Sequence, residues 1–495
     1  MPKIDSDLLR APVPGVAVPT YDRSTVTAGI VHFGVGGFHR AHQAMYVDRL
    51  MNRGLAREWG IVGVGVMPAD RAMADALGPQ DGLYTLVVKH PDGRTQPRIV
   101  GSLTGFLYAP QAQHLVHDTL TSPTTRIVSL TITEGGYNFN QVTHEFEAAS
   151  PAVVTDLRGG SAPRTVFGHV VAALEARRRA GIPPFTVMSC DNIQGNGQMA
   201  RRMFTAFARL RDPGLAAWMD DHVHFPNSMV DRITPVTTAT DRRRLHDDFD
   251  LDDNWPVVCE PFTQWVLEDD FGSGRPPLQE AGVQLVPDVE PYELMKLRLL
   301  NAGHQALAYF GYLLGHRFAH DAALDPRMAR FVRDYMDREA TPTLPPVPGI
   351  DLDAYKDELL ERFANPAIAD TIARLCQDTS DRIPKWVLPV LRHHLATGGP
   401  ITHATALIAS WARYAEGVDE GGRPIEVVDR LAGRITAAAR RYPEDPMALP
   451  SLTDLFGDVA AHERFRIAYV DIAARLHRDG AARTLDHLNG VAEVS

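Results

Sequence analysis

Short apolar runs, rich in β-branched residues, recur along the first half of the chain, and helix-length segments separate them. Four of these runs cover residues 30–33, 61–66, 126–132 and 185–190. Continuous apolar runs of this length are typical of strands that are buried on both faces of a sheet. An Ala-, Glu- and Arg-rich segment over residues 166–180 predicts a helix between the last two runs. Strands and helices that alternate in this way predict an α/β fold with a parallel sheet.

The second half of the chain, from about residue 290, changes to long and mostly apolar helical segments. Residues 293–308 predict a single α-helix that carries the polar side chains Glu293, Lys296, Asn301 and His304. Because an α-helix advances about 100° per residue, all four side chains fall within an arc of about 140°. Buried polar groups need partners, so this cluster is either a satisfied core network or a functional site.

Composition and charge exclude several classes of protein. The chain has 495 residues, of which 44% are hydrophobic and 22% charged, as in an ordinary soluble globular protein. Its net charge of −11 opposes a phosphate backbone, so we expect no nucleic-acid partner. The three cysteines are widely spaced, no apolar stretch could span a bilayer, and the first seven residues lack the apolar core of a secretory signal. We therefore expect a cytoplasmic protein with no membrane partner.

The first apolar run ends in a glycine-rich loop that opens a helix, Gly34-Val35-Gly36-Gly37-Phe38. Glycines let the chain turn tightly at this point and let backbone N–H groups approach a pyrophosphate at the start of the helix. The full dinucleotide-binding pattern has a third glycine where this chain has His39. The loop alone therefore fits both a nucleotide site and a simple turn.

Asp70, just beyond the second run, bears on the identity of the nucleotide. A carboxylate after the second strand of a βαβ unit accepts hydrogen bonds from a ribose and repels a 2′-phosphate, which favours NAD over NADP. The neighbouring Arg71 would instead attract that phosphate, and Asp70 could simply start the next helix. We expect NAD as the cofactor.

Small and polar residues at 133–137 and 191–192 follow two later strands. Ligands of open parallel sheets bind beyond the carboxyl ends of the strands, so both segments are candidates for a site. Asn192 is the side chain of interest here, although an asparagine in this place could equally cap the next helix.

The polar groups suit the oxidation of a secondary alcohol, which needs a base for the hydroxyl proton and donors for the developing alkoxide. A desolvated lysine such as Lys296 can be the base, because burial pushes the pKa of a lysine down. The side-chain amides of Asn192 and Asn301 can hold the oxyanion. His304 can orient the lysine or the substrate.

Two different chemical solutions stay open. Zinc would need Cys, His and Glu ligands at short spacings, and one closely spaced pair, His39 and His42, lies on the helix after the glycine loop. A tyrosine with a lysine four residues further on would be Tyr292 and Lys296. We favour the lysine as base, without a metal ion.

Residues 225–235, with the sequence Phe-Pro-Asn-Ser-Met-Val-Asp-Arg-Ile-Thr-Pro, resemble the signature of the polyol-specific long-chain dehydrogenases, the mannitol dehydrogenase family. The glycine loop, the segments 133–137, 189–192 and 258–262, and the group of Lys296, Asn301 and His304 are similar to that family in order and spacing. The resemblance covers nearly the whole chain.

The resemblance implies a Rossmann-type dinucleotide-binding domain over residues 1–290 and a mainly α-helical substrate and catalytic domain over residues 291–495. It implies metal-independent hydride transfer between NAD and C2 of a polyol–ketose pair, and we expect D-mannitol and D-fructose. D-Arabinitol, sorbitol and fructuronate are alternative substrates, and a catalytically inactive nucleotide-sensing homologue is the non-enzymatic alternative. The resemblance also implies a monomer.

The resemblance implies roles for individual residues. The general base is Lys296, the oxyanion stabilisers are Asn192 and Asn301, the partner of substrate or lysine is His304, the polyol contacts are Asp231 and Arg374, the proton path is Glu293, and the cofactor contacts are Gly34, Val35, Gly36, Gly37, Phe38 and Asp70. Arg382 stands where relatives have a substrate-binding lysine, and a rigid guanidinium fork puts the hydroxyl selectivity at this position in question. Ala69 of this chain stands where some relatives have an acidic residue next to the aspartate, and the loss of that charge weakens the exclusion of NADP.

Overall fold

The structure is a computed structural model that describes residues 4–5, 7–10, 12–140, 143 and 145–490. Residues 1–3 and 6, which belong to the segment expected not to be a secretory signal, lie outside this range. The chain divides into two compact units, Met1–Glu290 and Pro291–Ser495. The roles given to these two parts stay predictions.

The strands lie in the first unit and form three sheets. The strands are β1 Ala28–Phe33, β2 Gly60–Gly65, β3 Tyr84–Lys89, β4 Thr95–Val100, β5 Leu103–Tyr108, β6 Ile127–Leu130, β7 Thr186–Ser189, β8 Ser228–Asp231, β9 Val257–Cys259, β10 Gln264–Glu268 and β11 Gln284–Val286. The four strands predicted from the apolar runs and the helix predicted over residues 166–180 are confirmed, with bounds shifted by at most two residues.

The α-helices of the first unit are α1 Gly37–Ala41, α2 Gln43–Asn52, α3 Arg71–Leu77, α4 Gln113–Thr121, α5 Thr133–Gly136, α6 Pro151–Arg158, α7 Val166–Ala180, α8 Asn196–Arg211, α9 Pro213–His222 and α10 Ala239–Phe249. Helix α11 Glu290–Met295 begins at the boundary. The second unit continues with α12 Ala302–Leu313, α13 Ala319–Leu324, α14 Pro326–Tyr335, α15 Leu352–Phe363, α16 Ile372–Leu375, α17 Thr379–Trp386, α18 Leu388–Thr397, α19 Thr402–Ala415, α20 Ala432–Ala439, α21 Thr453–Phe456 and α22 Glu463–Leu488.

The largest sheet has five parallel strands in the order β5-β2-β1-β6-β7. Strand β1 is central, and its residues alternate between two cores. Ile30 packs with α2 on one face, whereas Val31 and Phe33 pack with α7 and α8 on the other. The chain leaves β1 toward β2 on one side and later adds β6 on the other, so the carboxyl end of β1 is a topological switch point. The Rossmann-type α/β fold expected for this part is confirmed.

Two three-stranded sheets complete the first unit, in the orders β11-β10-β8 and β4-β3-β9. Strand β10 pairs antiparallel with β8 and parallel with β11. Trp265 of β10 and Val230 of β8 pack into the same core as α1 and α2. These small sheets therefore cover the helices that follow the glycine loop.

A buried histidine pair fills the space between β1 and α1. The ring nitrogens of His32 lie 2.8 Å from Ser129 Oγ and 2.9 Å from Thr131 Oγ1. The ring of His39 stacks on His32 with 3.5 Å between ring centroids. Burial lowers the pKa of His32 to about 3 and that of His39 well below its usual value, so both rings are neutral. Where a third glycine would allow close packing of helix on strand, this chain packs two imidazoles.

The second unit is mainly helical, as expected. Helix α12 is fully buried along most of its length and contacts α14, α16 and α19. The prediction of one α-helix over residues 293–308 is wrong, because a π-helix, Lys296–Asn301, separates α11 from α12. An apolar pattern cannot reveal this, since a π-helix shifts the register by a single residue and leaves the composition unchanged. A second π-helix covers Met336–Ala340.

None of the helices in the described part of the chain is both long and apolar enough to cross a lipid bilayer.

Substitution of two glycines in the loop after β1 should separate a structural glycine from a tolerant one. Gly34 has φ +89°, and a Cβ atom there would lie 2.1 Å from the carbonyl oxygen of Thr131. We expect Gly34→Ala to lower the free energy of unfolding by about 2–4 kcal/mol, measured by urea unfolding. Gly36 has extended backbone, and its added Cβ would meet only Gly34 O at 3.8 Å, so Gly36→Ala should unfold like the wild type. Equal stability of the two variants would contradict this assignment.

Candidate functional site

The glycine loop is fixed to the neighbouring strand on one side and open on the other. The hydroxyl of Thr131, which follows β6, donates to the carbonyl oxygen of Gly34 at 2.7 Å. Val35 turns inward and packs so tightly on β2 that a Cβ at Gly63 would lie 2.6 Å from its Cγ2. The backbone of Val35, rather than its buried side chain, is therefore the part that could face a ligand.

Gly36, Gly37 and Phe38 form the outer part of the loop. A Cβ at Gly37 would make only ordinary contacts, with Thr234 and Val257 at 3.5 and 3.6 Å. Phe38 is half-buried and stacks on His42, with 4.9 Å between the ring centroids. Small side chains and half-buried backbone at the switch point leave room for a ligand to approach the first turn of α1.

Asp70 lies beside the carboxyl end of β2. A Cβ added to Gly65, the last residue of β2, would lie 2.4 Å from Asp70 Cβ, so the absence of a side chain there makes space for the carboxylate. Asp70 Oδ2 accepts a hydrogen bond from the backbone N–H of Met67 at 2.8 Å, which fixes the carboxylate at the start of the turn. Arg71 is turned toward Asp75, at 3.7 Å, and is largely exposed.

The carboxylate of Asp191 joins the carboxyl ends of two parallel strands. It accepts hydrogen bonds from the backbone N–H groups of Ile132 and Thr133 at 3.1 and 2.8 Å, and from the hydroxyl of Tyr137 at 2.7 Å. Thr133 has φ +62°, an uncommon conformation for a threonine that these bonds hold in place. Burial raises the pKa of Asp191, and the hydrogen bonds that it accepts oppose this shift.

The candidate residue Asn192 follows Asp191 beyond the end of β7, and the candidate Asp231 is the last residue of β8 in a different sheet. Asn192 is exposed, and the helix α8 is capped at Gly195 without a side-chain bond, so Asn192 is not the cap of that helix. Asp231 is buried at the end of β8, opposite Gln264 of β10. The buried side chain of Asn196 connects the two regions, because it donates to the carbonyl oxygens of Asp191 and Ser228.

In the second unit, four candidate residues follow one another along a continuous helical segment. Glu293 is in α11, Lys296 and Asn301 are the first and last residues of the π-helix, and His304 is in the first turn of α12. Lys296 and Asn301 are only 6% and 5% exposed. The side-chain nitrogen of Asn301 is buried and has no hydrogen-bond acceptor among the described residues. A buried donor without a partner is costly, and a ligand oxygen would satisfy it.

The ring of His304 is held by an aromatic neighbour. It packs on Phe363, the last residue of α15, with 4.3 Å between ring centroids. Tyr292, the second candidate for the base, is buried, and its hydroxyl donates to the carbonyl oxygen of Pro348 at 2.8 Å. That bond commits the tyrosine proton to the backbone and favours Lys296 as the base.

Arg374 and Arg382 lie on short helices packed against this segment, since α12 contacts both α16 and α17. Nε and one Nη of Arg374 donate to the carboxylate of Asp370, which raises the pKa of the guanidinium. Arg382 is turned inward, and its Nη1 donates to the carbonyl oxygen of Leu375 at 3.0 Å. Both arginines are therefore engaged in the protein, a feature that the sequence motifs do not reveal.

The hydrogen-bond partners of several residues that organise the site cannot be read from the sequence. No motif points to Asn196, and Asp191 and Glu260 lie in the segments 189–192 and 258–262, which resemble the family but do not reveal what these side chains bind. Glu260 is 1% exposed and accepts from the backbone N–H of Ile233 at 2.6 Å, and its carbonyl oxygen accepts from the guanidinium of Arg232. A signal is nevertheless present for Asp191 and Glu260, because each is a polar residue at the end of an apolar run and must be hydrogen-bonded when buried.

A parallel sheet with a glycine-rich turn at its switch point defines a Rossmann-type dinucleotide-binding fold. A family model of the mannitol dehydrogenase Rossmann domain matches residues 28–280, and a model of the mannitol dehydrogenase C-terminal domain matches residues 288–472. The chain belongs to the mannitol dehydrogenase family, as its motifs predicted.

Individual relatives match over almost the whole chain. Mannitol 2-dehydrogenases of Phaeosphaeria nodorum and Neosartorya fischeri are each 45% identical, over 95% of this chain and 83% and 95% of those proteins. The solved Pseudomonas fluorescens mannitol 2-dehydrogenase, a ternary complex with NAD and D-mannitol, is 44% identical with a TM-score of 0.88, covering 99% of this chain and 100% of that one. A substrate-free D-sorbitol dehydrogenase is 37% identical with a TM-score of 0.91, covering 98% and 100%.

Proposed function

We propose that the protein is an NAD-dependent mannitol 2-dehydrogenase that interconverts D-mannitol and D-fructose. The observation that carries the proposal is the buried pair of Lys296 and Asn301 at the two ends of one π-helix, with the amide nitrogen of Asn301 lacking an acceptor in the described chain. The family membership and the 45% identity to mannitol 2-dehydrogenases support the choice of substrate.

The residues of the first unit fit NAD. The open side of Gly36 leaves space for a pyrophosphate, and the half-buried carboxylate of Asp70 at the end of β2 suits a ribose that has a free 2′-hydroxyl. The backbone of residues 34–38 would hold the phosphates. When bound, NAD accepts the hydride from the carbinol carbon. The NAD complex of the Pseudomonas fluorescens relative supports this choice of cofactor.

The residues of this chain would handle the proton and the charge. Lys296 accepts the proton of the C2 hydroxyl, since a buried amine is readily kept neutral. The amides of Asn301 and Asn192 donate to the oxygen as negative charge develops on it. His304, fixed by Phe363, orients the substrate or the lysine, and Glu293 passes the proton onward to water. Residues 1–290 would supply the cofactor site and residues 291–495 the base, so the reaction requires groups from both units.

The charges in the second unit favour a neutral substrate. The guanidinium of Arg374 already shares its charge with Asp370, so it would bind a hydroxyl more readily than a second carboxylate. Arg382 and the buried Asp231 would contact further hydroxyls of the polyol. We also propose that the protein acts as a monomer, as its family resemblance implies. We propose that it needs no metal ion, since its own side chains would fill the roles of base and oxyanion donor.

Sorbitol is the second candidate substrate. The D-sorbitol dehydrogenase that matches 98% of the chain with a TM-score of 0.91 favours it over D-arabinitol and fructuronate. Mannitol and sorbitol differ only in the configuration at C2 and share the configuration at C5, so the same base and donors would serve sorbitol at its C5 hydroxyl.

A substrate comparison tests the proposed function directly. With purified protein and NAD, we expect the highest kcat/KM for the oxidation of D-mannitol and lower values for sorbitol and D-arabinitol. In the reverse direction, with NADH, we expect a lower kcat/KM for the reduction of fructuronate than for that of fructose. The paired charge of Arg374 is the reason for the last expectation. If the protein binds NADH tightly but consumes it with none of the ketoses, the result would instead support a nucleotide-sensing protein.

Removal of the base tests the mechanism. We expect Lys296→Ala to lower kcat for mannitol oxidation by about a thousandfold. Binding of NADH, followed by fluorescence titration, should not change. Lys385→Ala is the matched control, because Lys385 is an exposed lysine of the same unit. Turnover of Lys296→Ala close to that of the control would rule out this lysine as the base.

Removal of one charge tests the choice of cofactor. Asp70→Asn keeps an oxygen that can accept from the N–H of Met67 but loses the negative charge. We expect the ratio of kcat/KM with NADPH to that with NADH to rise about tenfold or more, the effect of roughly 1.4 kcal/mol. Asp118→Asn, at an exposed position of α4, is the control and should leave the ratio unchanged. If the wild type uses both cofactors equally well, Asp70 does not exclude NADP, and Arg71 becomes the residue to test.

A further inference from the structure

The first π-helix, Lys296–Asn301, does not stand alone in its unit. The second π-helix, Met336–Ala340, packs against it. Well under 1% of residues in proteins adopt this conformation, and it occurs mostly at functional sites. Two π-helices in contact therefore require a structural reason, and the side chains between them give one.

Arg298 connects the two π-helices. It lies inside the first π-helix, and its Nη1 donates to the carbonyl oxygen of Thr343 and to the hydroxyl oxygen of Thr343 at 2.9 Å. The hydroxyl of Thr343 in turn donates to the carbonyl oxygen of Ala340 at 2.6 Å, and Ala340 is the last residue of the second π-helix. The bonds thus run from the middle of one π-helix to the end of the other.

The second π-helix is itself firmly anchored. The carboxylate of Glu339 is fully buried and accepts from the backbone N–H groups of His403 and Ala404 at 2.6 and 2.8 Å, at the start of α19. The carbonyl oxygen of Glu339 accepts from Nε2 of His394 in α18 at 2.7 Å. Arg298 therefore ties the first π-helix to a fixed point in the core of the unit.

The conformation matters because it sets the angle between Lys296 and Asn301. In an α-helix, residues five apart differ by about 140° around the axis. In a π-helix, the hydrogen bonds run from residue i to residue i+5, so such residues lie nearly above one another on the same face. If residues 296–301 relaxed to an α-helix, the lysine and the amide would no longer face the same side.

We propose that Arg298 is a positioning residue that holds the π-helix and so keeps Lys296 and Asn301 on one face. This inference rests on the proposed function, because it assigns the lysine and the amide to the same substrate oxygen. Arg298 does not itself touch the reacting atoms. Its effect passes through the backbone of residues 296–301.

The test compares variants along the chain of hydrogen bonds. We expect Arg298→Met to lower kcat for mannitol oxidation by about ten- to a hundredfold, as displacements of about 1 Å do. The KM for NAD should stay unchanged. With mannitol deuterated at C2, the isotope effect on kcat should rise, because hydride transfer becomes slower than product release. Arg298→Lys, which keeps one donor, should recover part of the activity.

Thr343→Val should lower kcat by several-fold, and the double variant with Arg298→Met should be no slower than Arg298→Met alone, since both act through one contact. Arg434→Met, which breaks an exposed pair with Asp454 elsewhere in the unit, is the control and should match the wild type. The inference is overturned if folded Arg298→Met has the kcat and the isotope effect of the wild type. It is also overturned if the loss of activity is fully explained by a smaller fraction of folded protein. If Arg298→Met does not fold, wild-type kcat in both Arg298→Lys and Thr343→Val overturns it.

The Lys296→Ala variant separates this inference from the proposed function. An inactive Lys296→Ala together with a fully active Arg298→Met would reject only the role of Arg298. An active Lys296→Ala would reject the lysine as base, whatever the Arg298 variants show.

Discussion

The hydrogen bonds of the Asp191 carboxylate are the constraint on which the site in the first unit depends. A parallel sheet leaves the backbone groups at its carboxyl edge without strand partners, and a buried edge must satisfy them in another way. One carboxylate does so for the end of β6, while the backbone of the same residue accepts from Asn196, which also reaches β8. The carboxylate of Asp191 thus fixes Thr133, and its backbone carbonyl is linked through Asn196 to β8, the strand that ends in Asp231. The desolvation of a buried charge is offset because the carboxylate satisfies two backbone N–H groups beyond the end of β6 and also accepts from the buried hydroxyl of Tyr137.

The second unit meets a different constraint. The buried side chains of Lys296 and Asn301 can serve one substrate oxygen, as proposed, only if they lie on one face of their helix, and regular α-helical geometry does not place residues five apart together. The π-helix gives that arrangement but is less favourable than α-helix, so it persists only where neighbouring elements hold it. Arg298, Thr343 and the buried carboxylate of Glu339 supply the contacts. The same contacts explain why the helix changes type between α11 and α12 without a proline or glycine inside residues 296–301.

The sequence predicts the scaffold better than the side-chain partnerships. Apolar runs locate β1, β2, β6, β7 and α7, because a strand buried on both faces leaves a strong local pattern. The glycine loop and Asp70 are found from their spacing to those strands. The π-helix and the Arg374–Asp370 pair cannot be found in this way. Neither a one-residue change of helix register nor the pairing of a surface arginine changes the periodic pattern of apolar residues. His39 stands out in the sequence as a departure from a motif and as a possible zinc ligand with His42, whereas in the fold its ring is part of the packing that replaces the missing glycine.

The stacked rings of His32 and His39, which pack between β1 and α1, make the stability of the fold depend on pH. In the unfolded chain both histidines take up protons with a pKa near 6.5, whereas in the fold the pKa of His32 is about 3 and that of His39 is also strongly lowered. The unfolded state therefore binds more protons below pH 6.5, and each ring then removes about 1.4 kcal/mol of stability for every further pH unit, until the pH reaches its folded-state pKa. Acid should accordingly lower the free energy of unfolding. A family member with glycine at position 39 would lack part of this sensitivity.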